Sequence, residues 1–215
     1  MLSASEEKYK ESMINATSKA RQLFSNSNKP EREKMTCRGF LRCMNIKHND
    51  AELVVADDAS FDVTFRQAKF EITEIVGGRK RDLELKKLET KYKNASTGRD
   101  LLVPMENPEP MLFSEMVQVV RDRLGEKFCK RKQQGCENID ALVYIYILNW
   151  YLYPVEFSTE AVCAIEAQGW RSASTLIVPY ATVLFASDAA PAFLRERVGQ
   201  VQRVCDSMIN RLFDA

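Results

Sequence analysis

The chain has 215 residues, a hydrophobic content of 45% and a formal net charge of +1. These values predict one folded domain with a sizeable core, and they exclude a disordered chain and a globally basic nucleic-acid-binding surface. The only histidine is His48, which disfavours imidazole-rich zinc sites and histidine-dependent nucleophilic catalysis.

The cysteines and the apolar runs indicate the cellular compartment in which we expect the protein. The six cysteines show no CxxC spacing and no secretory signal precedes them, so we expect reduced thiols in a cytoplasmic protein. The longest apolar run, Ile139 to Val155, is interrupted by polar residues and is shorter than the roughly 20 residues of a membrane span. We therefore expect no membrane association.

Two helices are predicted at the start of the chain. Apolar residues recur at helical spacing over Ser3–Phe24, so residues 1–26 are expected to form an N-terminal helical extension. A second helix is expected over Pro30–Met44, where Glu33 lies one turn before Cys37 on the apolar face. Glu33 has two interpretations: a buried carboxylate directed at the sheet, or a first-turn glutamate favoured by the helix dipole.

Three short strands are predicted next, at Glu52–Ala56 and within the stretch Phe61–Val76. Alternation places Asp62 on the polar face of the second strand and Glu71 on the polar face of the third. If these two strands pair as a hairpin, the carboxylates converge and can hold a hard divalent cation such as Mg²⁺. The alternative is a strand pair with an ordinary solvated face.

The rest of the chain alternates between helical and strand patterns. A highly charged helical segment follows Gly77 and Gly78, and a proline-rich extended connection comes after it. The later predicted elements are a helix from Phe113 to Phe128, a buried strand from Ala141 to Leu148, a short helix from Ser158 to Gln168, a strand from Leu176 to Phe185 and a last helix from Ala192 to about Phe213.

The most basic stretch of the chain follows the helix that starts at Phe113. It carries four cations in close succession: Lys127, Lys130, Arg131 and Lys132. Such a cluster can bind a phosphate backbone. Basic residues are also favoured at a helix C-terminus by the helix dipole, so this alternative stays open.

The order helix, three strands, helix, strand resembles the core of the PD-(D/E)XK nuclease superfamily, with Glu33, Asp62 and Glu71 at the matching acidic positions. Several segments are also similar to a bacterial family of uncharacterised proteins for which an endonuclease activity has been proposed. These segments are EREKMTCRGFLRCMNI, FDVTF with FEITEI, DALVYIYIL, QGWRS with STLIVPYATVLFA, and APAFLRE. The resemblance implies a restriction-endonuclease-like core and a site that uses Mg²⁺ or Mn²⁺.

One position departs from the superfamily pattern. The motif has a lysine two residues after the strand glutamate, where this chain has Thr73. That lysine orients the attacking water and stabilises negative charge at phosphorus. Lys69 lies on the same predicted face as Glu71 and is the first candidate to replace it. The other candidates come from the following segment: Lys80, Lys86 and Lys87.

The segment QGWRS offers one further cation, Arg171. Arg171 either faces the same cleft and contacts phosphate, or is tied to a carboxylate or a carbonyl while Trp170 fills the core.

We therefore predict an α/β protein in which residues 27–215 form a single domain with a restriction-endonuclease-like three-layer core, followed by a C-terminal strand and helix. The predicted activity is metal-dependent hydrolysis of nucleic-acid phosphodiester bonds, with DNA preferred over RNA as the expected substrate. The predicted catalytic residues are Glu33, Asp62, Glu71 and Lys69, of which Asp62 and Glu71 hold the metal. The predicted nucleic-acid-binding residues are Lys127, Lys130, Arg131, Lys132 and Arg171.

The competing prediction is a catalytically degenerate protein of the same fold that acts in binding or assembly. Thr73 is the residue that favours it, because fold alone does not imply activity. The sequence leaves a homodimer open.

Overall fold

The computed structural model describes most of the chain: residues 2–56, 60–76, 81–102, 109–131, 135–146, 150–152 and 159–204. Contacts group Met1–Arg32 with Val76–Asn107 in one unit, and Glu33–Ile75 with Pro108–Ala215 in a second unit. The N-terminal helix therefore shares a unit with the segment that follows the three strands. This grouping differs from the predicted division at residue 26.

The described residues of the first unit include helices α1 (Ala4–Leu23) and α3 (Arg81–Asn94). Helix α1 begins at a capping box in which the Glu6 carboxylate accepts from the Ser3 amide at 2.7 Å. The buried cluster of this unit is centred on Tyr92 and Leu101. Both helices confirm the sequence predictions for these two segments.

A seven-stranded sheet forms the framework of the second unit. Its strands, in spatial order, are β1 (Leu53–Val55), β2 (Val63–Phe65), β3 (Ala68–Val76), β5 (Asp140–Tyr146), β7 (Ser172–Ile177), β8 (Tyr180–Ala186) and β9 (Val201–Arg203). The first three strands are antiparallel, β5 and β7 are parallel, and β7 to β9 are again antiparallel. A separate parallel pair consists of β4 (Glu109–Met111) and β6 (Trp150–Leu152).

Helices cover both faces of this sheet. Helix α2 (Lys29–Cys43) covers one face, where Phe40 packs edge-on against Phe70 with ring centroids 6.1 Å apart. Helices α4 (Phe113–Lys130) and α5 (Thr159–Glu166) belong to the core cluster of the other face. The fold is thus a mixed α/β fold with a seven-stranded sheet.

Successive side chains of β3 alternate between the two faces of the sheet, and each face packs against a different helix. Phe70 and Ile72 belong to the core cluster on the α2 side, whereas Ile75 belongs to the cluster on the α4 side. Since successive side chains of a strand point to opposite faces, Glu71 and Thr73 point toward α4. This alternation determines the surroundings of the predicted site.

Two predictions for the C-terminal part are wrong. The predicted single strand Leu176–Phe185 is a hairpin of β7 and β8, because Pro179 has no N–H to continue the ladder and lies in the connecting turn. The predicted helix from Ala192 ends after α6 (Ala192–Arg195). Gly199 then adopts a positive φ of 78°, and the chain returns as edge strand β9. Residues 205–215, where the rest of that predicted helix falls, lie outside the described residues.

No helix in the described part of the chain combines the length and the apolarity that crossing a membrane requires.

Candidate functional site

The site is centred on Glu71, which carries two cationic partners from α4. Its Oε1 lies 2.9 Å from the Lys127 ammonium, and its Oε2 contacts the Arg131 guanidinium. The side chains of Glu71, Lys127 and Arg131 are 11%, 25% and 20% exposed. The group is therefore partly sheltered but reachable from solvent. We call these three residues the Glu71 cluster.

The end of α4 presents both cations because they are four residues apart, one turn along the same helix face. Arg131 is the C-cap residue of α4, and basic side chains are favoured at this end of a helix. Both side chains are held by further contacts. Lys127 donates to the Ile72 carbonyl at 3.2 Å, and Arg131 donates to the Ser60 carbonyl. The Arg131 guanidinium also lies 6.0 Å from the ring centroid of Trp170.

Asp62 lies beside the Glu71 cluster, immediately before β2. The last residue pair of the β2–β3 register at this end is Val63 with Phe70, and Asp62 directly precedes it. The Asp62 Oδ2 accepts from the Ile72 amide at 2.7 Å, and the Asp62 amide donates to the Phe70 carbonyl at 2.8 Å. The Asp62 carboxylate thus lies at the backbone of Ile72, the residue that follows Glu71 on β3.

Glu33 is buried on α2, as one of its two interpretations requires. However, α2 packs against the face of the sheet formed by Phe70 and Ile72, whereas Glu71 points toward α4. Helix α2 and the Glu71 side chain therefore lie on opposite faces of β3. The role of Glu33 stays a prediction.

The predicted replacement lysine, Lys69, has a different environment. It is exposed, and its ammonium lies 5.7 Å from the ring centroid of Phe61. The lysine in contact with Glu71 is Lys127, from a helix distant in sequence. Thr73 is buried, and its hydroxyl has no hydrogen-bond partner among the described residues. Among the other candidates, Lys86 and Lys87 lie on α3, in the first unit, and Lys80 falls outside the described residues.

Arg171 is tied to a carboxylate and a carbonyl, which is the second of its two predicted roles. Its guanidinium donates to Asp140 from Nε at 3.1 Å and from Nη2, and it also donates to the Gln67 carbonyl at 3.0 Å. Trp170 is buried in the core cluster on the α4 side. Arg171 thereby holds the turn between β2 and β3.

Asp140, which sequence reasoning did not select, is the acceptor at the centre of this second network. It is fully buried at the start of β5 and also accepts from the Ser172 hydroxyl at 2.7 Å and from the Lys69 amide at 3.0 Å. The sequence signal that could have identified Asp140 is its position directly before the apolar residues of a predicted strand. Its contacts join β5, β7 and the start of β3.

The predicted basic cluster does not form one continuous surface in the described residues. Lys127 and Arg131 turn inward to Glu71, whereas Lys130 is exposed. Arg171 belongs to the Asp140 network. Lys132 lies outside the described residues.

The same cluster influences a nearby thiol. Burial raises the pKa of Cys136; the positive charge of Arg131 opposes this shift, and the negative charges of Glu71 and Glu137 add to it. Cys136 is therefore a protonated, buried thiol at neutral pH and not a nucleophile.

The donor set can be compared with what a divalent cation needs. Among the described residues, no group of three or more histidine, cysteine, aspartate or glutamate side chains is arranged to hold a metal ion. Mg²⁺ usually takes one or two protein carboxylates, with waters and substrate phosphates as its other ligands, so Asp62 and Glu71 fit it in number and chemistry. Both oxygens of Glu71 already have cationic partners. A metal at Glu71 would therefore compete with the positive charges of Lys127 and Arg131 for this carboxylate.

Comparison with known proteins gives one family and one solved structure. The model of a family described as "Putative endonuclease, protein of unknown function (DUF1780)" matches residues 5–208. A solved structure of a protein of unknown function from Pseudomonas aeruginosa strain PAO1, described as belonging to the monooxygenase superfamily, is similar with a TM-score of 0.59 and 21% identity. The match covers 92% of this chain and 95% of that one. At this identity the similarity shows the fold alone. No curated protein matches the chain.

Proposed function

The chain belongs to the family described as "Putative endonuclease, protein of unknown function (DUF1780)", and we propose that it hydrolyses phosphodiester bonds of nucleic acids at the Glu71 cluster. The observation that carries the proposal is the pairing of Glu71 with two cations of α4, next to Ile72, whose amide donates to the Asp62 carboxylate. The proposal includes a restriction-endonuclease-like core, formed by α2, β1 to β3, α4 and β5, and DNA as the preferred substrate.

Each residue has a separate task in this proposal. Asp62 and Glu71 are the oxygen donors for Mg²⁺ or Mn²⁺. When bound, such a cation polarises the phosphate and lowers the pKa of an attacking water. Lys127 and Arg131 bind the non-bridging phosphate oxygens, and Arg131 can do so with two parallel hydrogen bonds.

Two lysines compete for the role of the missing motif lysine. Lys69, predicted from alternation, extends from the same strand as Glu71 but lies over Phe61. Lys127 already lies within hydrogen-bonding distance of the carboxylate. We therefore assign charge stabilisation at phosphorus to Lys127 and retain Lys69 as the alternative.

The test is cleavage of single- and double-stranded DNA and RNA in Mg²⁺ or Mn²⁺ by the wild type and by single variants. We expect Asp62→Asn, Glu71→Gln and Lys127→Met each to reduce the cleavage rate by about 100-fold or more, because each removes a group that acts on the reacting phosphate. Lys69→Met is expected to retain activity. The reverse result for the two lysine variants would return the role to Lys69.

A binding or assembly role without catalysis is the second candidate. Thr73 at the lysine position and the two cationic partners of Glu71 favour it. Absence of cleavage in every metal, with unchanged circular dichroism and thermal unfolding, would support this candidate over the nuclease. So would cleavage that is identical in the wild type and in Glu71→Gln.

A further inference from the structure

The Glu71 cluster has the composition of an anion site that is occupied by the protein's own carboxylate. Two cations from one helix turn contact the two oxygens of one side chain. A phosphate presents the same kind of acceptor, with more oxygens and with the geometry that a guanidinium matches. Glu71 therefore occupies the place that a phosphate group would take.

Exchange of one anion for the other is physically accessible. Lys127 and Arg131 are about a quarter and a fifth exposed, so an incoming phosphate can reach both cations from solvent. Lys127 and Arg131 would keep part of their support without Glu71, since they also donate to the carbonyls of Ile72 and Ser60. The cations therefore remain positioned when Glu71 moves away.

We infer that Glu71 competes with a nucleic-acid phosphate for Lys127 and Arg131, so that the resting site is closed by its own carboxylate. This inference rests on the proposed function, because the phosphate is that of the proposed substrate. Binding of the phosphate to the cations releases Glu71, whose oxygens then become available to a hard dication. Phosphate and dication therefore bind cooperatively, and each raises the affinity of the other by the same factor.

The first test measures binding without any reaction. The anisotropy of a labelled oligonucleotide is titrated in EDTA with the wild type and with Glu71→Gln. We expect Glu71→Gln to bind about tenfold more tightly, a usual size for the coupling between two ligands, because it removes the carboxylate that competes for the two cations. Equal or weaker binding by Glu71→Gln would overturn the inference.

The chain offers a matched control in Glu89. This glutamate is also buried and also pairs with two cations, Arg21 at 2.6 Å and Lys93 at 2.5 Å, within the first unit. Glu89→Gln changes the net charge by the same amount, so we expect its oligonucleotide affinity to stay at the wild-type value. If Glu89→Gln gained as much oligonucleotide affinity as Glu71→Gln, the gain would come from the change in net charge alone. That result would contradict a specific site.

A second variant covers the case in which Glu71→Gln does not fold. Glu71→Asp keeps the charge but shortens the side chain by one methylene, which draws the carboxylate away from both cations. It should bind the oligonucleotide more tightly than the wild type, by a smaller factor than Glu71→Gln. Affinity at or below that of the wild type would count against the inference.

The cooperative part is tested with Ca²⁺, a hard dication that binds oxygen ligands. We expect Ca²⁺ to raise the oligonucleotide affinity of the wild type and to have no effect on Glu71→Gln. An equal effect of Ca²⁺ on both proteins would contradict the release of Glu71. None of these measurements depends on cleavage, so tighter binding by Glu71→Gln together with an inactive wild type would reject the nuclease and retain the phosphate site.

Discussion

A fully buried carboxylate requires donors around it, and Asp140 has them from three residues. Arg171, Ser172 and the Lys69 amide all donate to its two oxygens. These donors come from two strands and from the residue that precedes β7, so Asp140 fastens the β2–β3 turn to the middle of the sheet. Asp62 precedes that turn in the chain and Glu71 follows it, so the positions of both residues depend on this attachment.

We expect Asp140→Ala to lower the free energy of unfolding by about 3 kcal/mol or more, because it leaves the nearly buried Arg171 guanidinium without its counter-charge. Urea denaturation of the two proteins measures the difference. Asp122→Ala is the matched control, since Asp122 is an exposed partner of Arg121 and its loss should change stability by at most about 0.5 kcal/mol. A loss below about 1 kcal/mol for Asp140→Ala would show that the network is not important for stability.

Individual site residues could be predicted only as far as strand alternation and motif similarity extend. Alternation selected Asp62 and Glu71, and in the structure the Asp62 carboxylate accepts from the amide of Ile72, the residue after Glu71. It could not select Lys127, because the contact with Glu71 joins a strand to a helix far along the chain. Glu33 was selected by its helical face. The motif could not show that this face and Glu71 lie on opposite sides of the sheet in this chain.

At the scale of helices and strands, the sequence predictions succeeded where the apolar residues of a segment follow one clear periodicity. The ranges of α1, α2 and α4 agree with prediction within about two residues because each has an apolar stripe at helical spacing. The prediction failed after Ala192, where valines at 198, 201 and 204 fit a helical spacing by coincidence. There the unpaired edge of β8 recruits Val201–Arg203 as a strand, which is a tertiary effect that local pattern does not contain.

Helix α4 also contains a glycine, Gly125, whose substitution sets two effects against each other. A Cβ at this position would lie 3.1 Å from the Gln168 Nε2, which donates to the Arg121 carbonyl at 2.8 Å. Alanine gains about 1 kcal/mol over glycine in a helix interior. Displacement of the Gln168 amide costs about the net value of one hydrogen bond, roughly 0.5 to 1.5 kcal/mol.

We therefore expect Gly125→Ala to change stability little in the wild type but to raise it by about 1 kcal/mol in a Gln168→Ala background. Thermal and urea unfolding of the four proteins of this double-mutant cycle give the coupling. Equal effects in both backgrounds would mean that the Gln168 side chain moves aside without cost. In either case oligonucleotide binding serves as a check that the end of α4 keeps its cations in place.

For the molecule as a whole, a formal net charge of +1 leaves no long-range field to hold a polyanion. In the proposed function, binding therefore comes from local charges, and those at the described end of α4 include Lys127, Arg131 and the exposed Lys130. The charge pattern therefore favours a short contact with the backbone, limited to a few phosphates, over a long track. This argument applies to the proposed nuclease and to the binding candidate alike.

The number of phosphates contacted can be measured from the dependence of affinity on salt. For two to three neutralised phosphates, log Kobs against log salt concentration should fall with a slope of about −2 to −3 on duplex DNA. Lys130→Ala should make this slope shallower by about one, since it removes one exposed cation from the same helix end. Lys93→Ala, on a helix of the first unit, is the matched control and should leave the slope unchanged. A slope steeper than about −6 would instead require an extended basic track, and the end of α4 would then be only one part of the nucleic-acid interface.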